Sequence, residues 1–177
     1  MVRVRPFLLL LFALALVPGS WVHAETIVGT VVAVADGDTL TLDSQGHRHT
    51  VRLNGIDAPE RGHPEGQPFG TKARDELRAL ALHQVATLDT AKQDRYGREV
   101  GTVEVAGKDL GLALLQSGHA WVFRRYVKEL PETLRARYLA AEEAARSERR
   151  GLWNEPNPVP PWDWRASKRH GEKTALP

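Results

Sequence analysis

The sequence contains no cysteine and only one methionine among its 177 residues. Without cysteine the chain forms no disulfide, offers no thiolate to a metal ion and has no thiol nucleophile. Aromatic residues are also few, at 7% of the chain, so aliphatic side chains must build most of the core. The fold therefore depends on packing and, where a ligand binds, on that ligand.

Long apolar runs are scarce, and the clearest one lies near the start of the chain. It covers residues 7–17 and follows two basic residues, Arg3 and Arg5. The run is too short to span a bilayer comfortably, and small residues precede a cleavage point after Ala24. We therefore predict that residues 1–24 are a secretory signal peptide, removed on export to a periplasm or the cell exterior, with no membrane attachment afterwards. The alternative is an uncleaved anchor.

The chain has no large excess of either charge, but its acidic and basic residues are unevenly distributed along the sequence. Without the predicted signal peptide, 153 residues remain, with 22 basic and 22 acidic side chains. Residues 25–120 hold 10 basic and 14 acidic side chains, whereas residues 121–177 hold 12 basic and 8 acidic ones. The pattern indicates an acidic half suited to a metal ion, joined to a basic half that attracts a polyanion.

Residues 25–153 are predicted to form one domain of the α+β class. Alternating apolar and polar residues predict five strands, and helical periodicity or helix-stop residues predict three helices. The predicted strands cover residues 26–35, 38–43, 47–53, 84–90 and 98–105, and the predicted helices cover residues 71–82, 109–116 and 131–149. The order of these elements is compatible with a small barrel.

Residues 154–177 form a basic tail that contains proline and tryptophan. Its prolines favour irregular chain, because proline is poorly tolerated inside a helix. We expect the indoles of the Pro161-Trp162-Asp163-Trp164-Arg165 segment to pack against the domain, and the chain beyond Ser167 to be disordered.

Three short stretches, at residues 36–39, 52–60 and 94–98, combine acids with arginines. Carboxylate oxygens suit Ca²⁺ or Mg²⁺, and planar guanidinium groups bind phosphate through two points. Asp38 and Asp57 are therefore candidate metal ligands, with a further acid, Glu60, free to act on a water molecule. Arg52 and Arg98 are candidates for neutralising the charge that develops on the phosphate during attack at phosphorus.

Each of these residues also has an ordinary interpretation. An isolated Asp36-Gly37-Asp38 segment is typical of a hairpin turn, and an isolated glutamate such as Glu60 is typical of a solvated loop. The metal interpretation is favoured by Asp57, which ends another strand and is followed by Pro59, so that the chain leaves the sheet there.

In their order, spacing and residue identities, the three stretches resemble the motifs of the thermonuclease family, the staphylococcal nuclease-like enzymes. The resemblance extends from about Val28 to Trp153. It implies a five-stranded OB-type β-barrel with three helices. It also implies hydrolysis of phosphodiester bonds in DNA and RNA with Ca²⁺ as cofactor, giving products with 3′-phosphate ends. We expect a monomer.

The resemblance also assigns the metal site. The implied ligands are the side chains of Asp38 and Asp57 and the main-chain oxygen of Ala58. A well-known family member has threonine in place of Ala58, but a carbonyl ligand is available from either residue. We expect Asp36 and Asp94 to support the site without binding the metal.

The same resemblance assigns catalysis to Glu60, as general base, and to Arg52 and Arg98, as a phosphate clamp. A rival interpretation is a nucleic-acid-binding barrel without catalysis, as some relatives of this fold are. The presence of all the acids and arginines of the motifs favours the enzyme, because a binding module has no need for that combination.

The substrate surface is predicted to include two basic and two aromatic residues, since aromatic rings stack on bases and basic groups meet phosphates. The candidates are Arg95, Tyr96, Arg124 and Tyr126. Tyr126 matches one of two nucleotide-contacting tyrosines in the family, and Arg124 stands where the other is expected.

Overall fold

The computed structural model describes residues 25–62 and 66–174, so the predicted signal peptide lies outside the described residues. Within them the chain forms strands and helices in the following order: β1 (Glu25–Asp36), β2 (Thr39–Ser44), β3 (His47–Leu53), β4 (Ile56–Asp57), α1 (Gly70–Ala81), β5 (Val85–Gln93), β6 (Glu99–Val105), β7 (Lys108–Asp109), α2 (Leu110–Gln116), β8 (Trp121–Val122), α3 (Glu132–Ser147) and α4 (Pro161–Thr174).

Five strands close into a barrel. Strand β1 pairs antiparallel with β2 and β5, β2 pairs antiparallel with β3, and β5 pairs antiparallel with β6. Parallel pairing of β3 with β6, with Val51 opposite Glu99 and Leu53 opposite Gly101, closes the barrel. The predicted α+β fold with a five-stranded barrel is confirmed, although the described residues contain four α-helices where we expected three.

The main core fills the barrel and extends to the helices at its end. Alternate residues of the strands, such as Leu40 and Leu42 in β2, are fully buried. This alternation follows from the strand geometry, in which successive side chains point to opposite faces. Helix α2 contributes Leu114 and Leu115 to the same core, and α1 contributes Leu77. The barrel strands are thereby held in a fixed register around the site at their rim.

A smaller core lies beside the barrel and determines where the C-terminal tail packs. It consists of Trp121, Ala145, Leu152 and Trp153, with Phe69 and Trp162 packed against it. The rings of Trp121 and Trp153 meet edge to face, with centroids 4.2 Å apart. This cluster joins α3 to β8 and to the tail.

The tail differs from its prediction, because residues 161–174 form helix α4. Pro161 is the first residue of that helix, a position where proline is tolerated because its missing N–H would have no partner within the helix. The prolines thus precede the helix and do not interrupt it, and the residues after Ser167 continue it. The expectation that the tail indoles pack against the domain is confirmed for Trp162.

A buried polar contact joins α3 to α2. The Tyr138 hydroxyl donates to the Asp109 carboxylate, 2.9 Å from each oxygen, and Asp109 also accepts from the N–H of Leu112 as the N-cap of α2. Burial, together with the neighbouring Asp109 charge, raises the pKa of Tyr138. The hydroxyl therefore stays protonated and available as a donor.

In the described part of the chain, no helix is both long enough and apolar enough to cross a membrane.

We predict that Tyr138→Phe lowers the free energy of unfolding by about 1–2 kcal/mol, because it leaves a buried carboxylate without one of its donors. Urea denaturation of the two proteins measures this difference. Tyr96→Phe is the matched control: Tyr96 is 69% exposed, so its loss of a hydroxyl should change stability by less than about 0.5 kcal/mol. Equal effects of the two substitutions would contradict the structural role of Tyr138.

Candidate active site

The two acids predicted to bind metal meet at one end of the barrel because the β1–β2 turn packs tightly there. A side chain at Gly37 would place its Cβ 2.7 Å from the Cβ of Ala58 and 2.7 Å from that of Ala73. Only glycine allows this approach, since real Cβ atoms do not come so close. As a result, the N–H of Ala58 donates to Asp38 Oδ2 over 3.2 Å.

Arg52 bridges both acids. Its Nη1 lies 2.8 Å from Asp38 Oδ2, and its Nη2 lies 2.8 Å from Asp57 Oδ1. The Asp57 side chain is 0% exposed, and those of Asp38 and Arg52 are 7% and 18% exposed. Burial acts against the charged guanidinium, but the two carboxylates outweigh it and raise the pKa of Arg52. The structure thus brings together three of the predicted residues as one charged cluster.

The donors at this cluster fit a hard divalent cation. Two carboxylates that share one guanidinium lie beside Ala58, whose carbonyl is the third implied ligand. Ca²⁺ and Mg²⁺ both take carboxylate, carbonyl and water oxygens. Among residues 25–62 and 66–174, no group of three or more His, Cys, Asp or Glu side chains is arranged to hold a metal ion. A bound cation would therefore need main-chain, water or substrate oxygens as well.

The main chain of Glu60 is fixed by Gln67. The Glu60 N–H donates to Gln67 Oε1 over 3.1 Å, and the Gln67 N–H donates to the Glu60 carbonyl over 2.8 Å. The Glu60 side chain is 33% exposed, and its Oε1 accepts from Arg165. Glu60 is thus held near Asp57, with Arg165 in contact with both acids and with part of its carboxylate exposed.

Arg165 is the site residue that the sequence analysis missed. Its Nη2 lies 2.6 Å from Asp57 Oδ2 and its Nη1 lies 3.2 Å from Asp57 Oδ1, while Nη1 also pairs with Glu60. Burial opposes its charge, but hydrogen bonds and charge from Asp57, followed by those from Glu60, raise the pKa of Arg165. The available signal was its position three residues after Trp162, which places both on one face if the segment is helical.

Arg98 reaches the cluster indirectly. It follows Gly97, whose φ of +76° makes the turn into β6, and its Nε donates to Asp94 Oδ2 over 2.8 Å. Its Nη1 lies 3.5 Å from Thr39 Oγ1, which in turn donates to Asp38 Oδ1 over 2.9 Å. Although burial raises the pKa of Asp94, the hydrogen bonds from Arg98 outweigh it and hold that pKa below its usual range. Asp94 therefore orients Arg98 through hydrogen bonds and an ion pair.

Arg95 and Tyr96 form the exposed tip of the same turn. The Arg95 guanidinium donates to the Tyr96 hydroxyl over 2.6 Å and lies over its ring, 4.7 Å from the centroid. The Arg98 guanidinium lies 5.6 Å from that centroid. The structure thus brings these two predicted substrate-binding residues next to Arg98.

Arg124 and Tyr126 lie on the segment that follows β8. Arg124 pairs with Glu142, a residue of α3 that is 2% exposed and also accepts from the N–H of Val122 over 2.7 Å. Tyr126 is 38% exposed and packs edge to face on Phe123, with centroids 5.0 Å apart. Arg124 therefore makes a structural contact with a buried glutamate, and Tyr126 keeps part of its ring accessible.

Asp36, predicted to support the site, has an unusual electrostatic environment. Its Oδ1 accepts from the N–H of Gly37 over 2.9 Å. Burial, with the negative charges of Asp38 and Glu60, raises the pKa of Asp36 to about 6, against the opposing hydrogen bond from Gly37. The carboxyl group is thus sensitive to the charge of the neighbouring site.

Comparison with known proteins places these features in a family. The model of the family described as "Staphylococcal nuclease homologue" matches residues 50–155, more than half of the chain. That range contains Arg52, Asp57, Glu60 and Arg98, whereas Asp38 and Arg165 lie outside it.

Individual relatives agree with the family model. An uncharacterized endonuclease of Escherichia coli O157:H7 is 35% identical over 153 residues, covering 84% of this chain and 92% of that protein. The micrococcal nuclease of Shigella flexneri is 34% identical over 151 residues, covering 80% and 82%. An uncharacterized 38.1 kDa protein of Capnoides sempervirens is 37% identical over 130 residues, covering 73% of this chain but only 36% of its own length.

We predict that Asp36→Asn stabilises the metal-free protein in a pH-dependent way. A carboxyl group whose pKa is raised on folding binds its proton more tightly in the folded state, so ionisation lowers stability as pH rises. The gain in unfolding free energy from Asp36→Asn should therefore be absent below about pH 4, grow up to about pH 6 and stay constant above it. Urea denaturation in EDTA across this range measures the gain, and a gain independent of pH would contradict the assignment.

Proposed function

This chain belongs to the staphylococcal nuclease homologue family, and from that premise we propose that it is an exported, Ca²⁺-dependent nuclease acting on both DNA and RNA. The observation that supports this most directly is the cluster in which Arg52 bridges Asp38 and Asp57 beside Glu60. Export rests on the sequence of residues 1–24 alone. We further propose that the exported form, periplasmic or secreted, is a monomer.

In this proposal Asp38, Asp57 and the carbonyl of Ala58 hold the Ca²⁺ ion. The ion would supply positive charge that lowers the pKa of a bound water and balances charge developing on the phosphate. The buried position of Asp57 supports this role, because a fully buried carboxylate must be paired with a cation.

Glu60 would accept a proton from the attacking water. Its main chain is held by Gln67 and its carboxylate lies at the mouth of the site, where water has access. As the water oxygen bonds to phosphorus, the bond from phosphorus to the 5′ oxygen breaks. The family resemblance implies this direction of cleavage, which leaves the phosphate on the 3′ end.

Arg52 and Arg98 would bind the phosphate oxygens and stabilise the charge that grows on them. Both are oriented before substrate arrives, Arg52 by two carboxylates and Arg98 by Asp94. Such preorganised charges stabilise a transition state more effectively than mobile ones. The exposed ring of Tyr96, next to Arg98, offers a surface on which a base of either nucleic acid stacks.

We predict that Ca²⁺ raises the melting temperature of the protein without residues 1–24, because binding to the folded state alone stabilises it by mass action. Differential scanning calorimetry in EDTA and in excess Ca²⁺ measures the shift. Asp57→Asn should abolish it. An unchanged melting temperature in the parent protein, together with full plasmid and RNA cleavage in EDTA, would exclude the metal site.

We predict that Glu60→Gln and Arg98→Lys each slow cleavage about a hundredfold or more at saturating Ca²⁺, the loss of roughly 3 kcal/mol expected for a preorganised transition-state contact. Lysine should fail at residue 98 because an ammonium group does not reproduce a planar two-point contact. Single-turnover cleavage of DNA and of RNA measures both rates.

The matched control for these variants is Arg48→Lys. Arg48 lies on β3, the strand that carries Arg52, but its side chain is exposed. Its replacement should change the rate by less than about twofold, as for an ordinary surface residue. If Glu60→Gln and Arg98→Lys cleave at the parent rate, the roles proposed for Glu60 and Arg98 are wrong. If the parent protein binds DNA or RNA but cleaves neither, the chain is better described as a nucleic-acid-binding barrel.

A further inference from the structure

The start of α4 is attached to the same loop that carries Glu60. The Gln67 side chain, which accepts from the Glu60 N–H, also donates from Nε2 to the carbonyl of Val159 over 2.6 Å. One turn before Arg165, the Trp162 ring stacks on Phe123, with centroids 5.7 Å apart and planes 10° apart. The position of Arg165 at the site therefore follows from specific packing of the tail.

Arg165 occupies oxygen atoms that a cation would use. It contacts both oxygens of Asp57 and one of Glu60, while Arg52 contacts Asp57 Oδ1 as well. Asp57 is fully buried, so these guanidinium groups supply the positive charge that it requires. A divalent cation bound to Asp57 would be repelled by the positive charge of Arg165, because both would contact the same carboxylate.

The net charge of the contacting side chains would also change sign when a divalent cation binds. Three carboxylates, those of Asp38, Asp57 and Glu60, face two guanidinium groups, so one negative charge is unmatched. A divalent cation turns this into one unmatched positive charge, which complements a phosphodiester anion. Without Arg165 the cation-loaded cluster would be neutral.

Release of Arg165 from Asp57 would leave it close to the substrate. Trp162 and Val159 hold the start of α4, so the guanidinium group has only the length of its own side chain in which to move. Its side chain is 33% exposed, as is that of Glu60, so both lie at the mouth of the site. A phosphate that approaches Glu60 would thus pass within reach of Arg165.

We propose that Arg165 is a further active-site residue, which neutralises Asp57 and Glu60 in the metal-free protein, gives up Asp57 to the cation and then binds the substrate phosphate. This proposal rests on the proposed function for its substrate, but its metal step does not depend on cleavage. It assigns a role in the reaction to a tail residue that lies beyond the matched family range of residues 50–155.

The metal step is tested by isothermal titration calorimetry with Ca²⁺ alone on the chain without residues 1–24. Removal of a competing charge-assisted contact should tighten Ca²⁺ binding by roughly tenfold in Arg165→Met. Trp162→Ala, which loosens α4 but keeps the guanidinium group, should shift the affinity in the same direction. Arg169→Met, an exposed arginine one turn further along α4, is the matched control and should leave the affinity unchanged.

Weaker or unchanged Ca²⁺ binding in Arg165→Met would overturn the proposal, because Arg165 would then hold Asp57 in place for the metal or have no effect on it. Failure of the parent protein to bind Ca²⁺ would overturn it as well. Far-ultraviolet circular dichroism of each variant ensures that the comparison is made between folded proteins.

The phosphate step is tested by fluorescence anisotropy with a single-stranded oligothymidylate in Ca²⁺. The comparison uses Glu60→Gln with and without Arg165→Met, so that cleavage does not interfere. The added substitution should weaken binding about tenfold and reduce the salt slope by about one phosphate contact. Unchanged affinity and slope would remove the phosphate role of Arg165.

The two proposals fail in different ways. If the parent protein binds Ca²⁺ and Arg165→Met binds it more tightly, but neither DNA nor RNA is cleaved, the proposed nuclease function is wrong while the exchange of Arg165 for the cation stands. If the parent cleaves nucleic acid and Arg165→Met shows no tightening, the nuclease function stands and the exchange is wrong.

Discussion

The burial of one carboxylate, that of Asp57, is the constraint on which the site depends. A fully buried charge is stable only when cations contact it, and here two guanidinium groups do so. Arg52 comes from the barrel and Arg165 from the last helix, so the electrostatic requirement of a single residue joins the tail to the barrel. The same requirement makes the location suitable for a metal ion, which would satisfy the carboxylate equally well.

The barrel provides the rigidity that this arrangement needs. Arg52 lies opposite Thr39 in the β2–β3 ladder, and Asp57 lies opposite Trp121 in the β4–β8 pair. The first pairing fixes Arg52 next to the turn that carries Asp38. The second connects the acid to the tryptophan cluster, on which α4 is docked through Trp162. Packing of uncharged rings thereby determines which charged group reaches the site.

Most of the barrel could be predicted from local sequence, because alternation of apolar residues and the chemistry of turns act over a few residues. The strand at residues 47–53 was predicted with the bounds that the structure shows. The structure of the tail could not be predicted in this way, since the effect of a proline depends on its position relative to a helix. Pro161 at the first helical position is compatible with α4, whereas the same residue one turn later would oppose it.

Asp38, Arg52, Asp57 and Glu60, which meet at the rim of the barrel, can be identified from the chain alone, because family motifs and strand ends are local features of the sequence. By contrast, the contact of Arg165 with Asp57, a residue 108 positions earlier, and the pairing of Arg124 with the buried Glu142 become visible in the folded protein alone. Contacts of this kind depend on how separate elements pack. Charged side chains in a polar tail look alike until packing brings one of them to a buried acid.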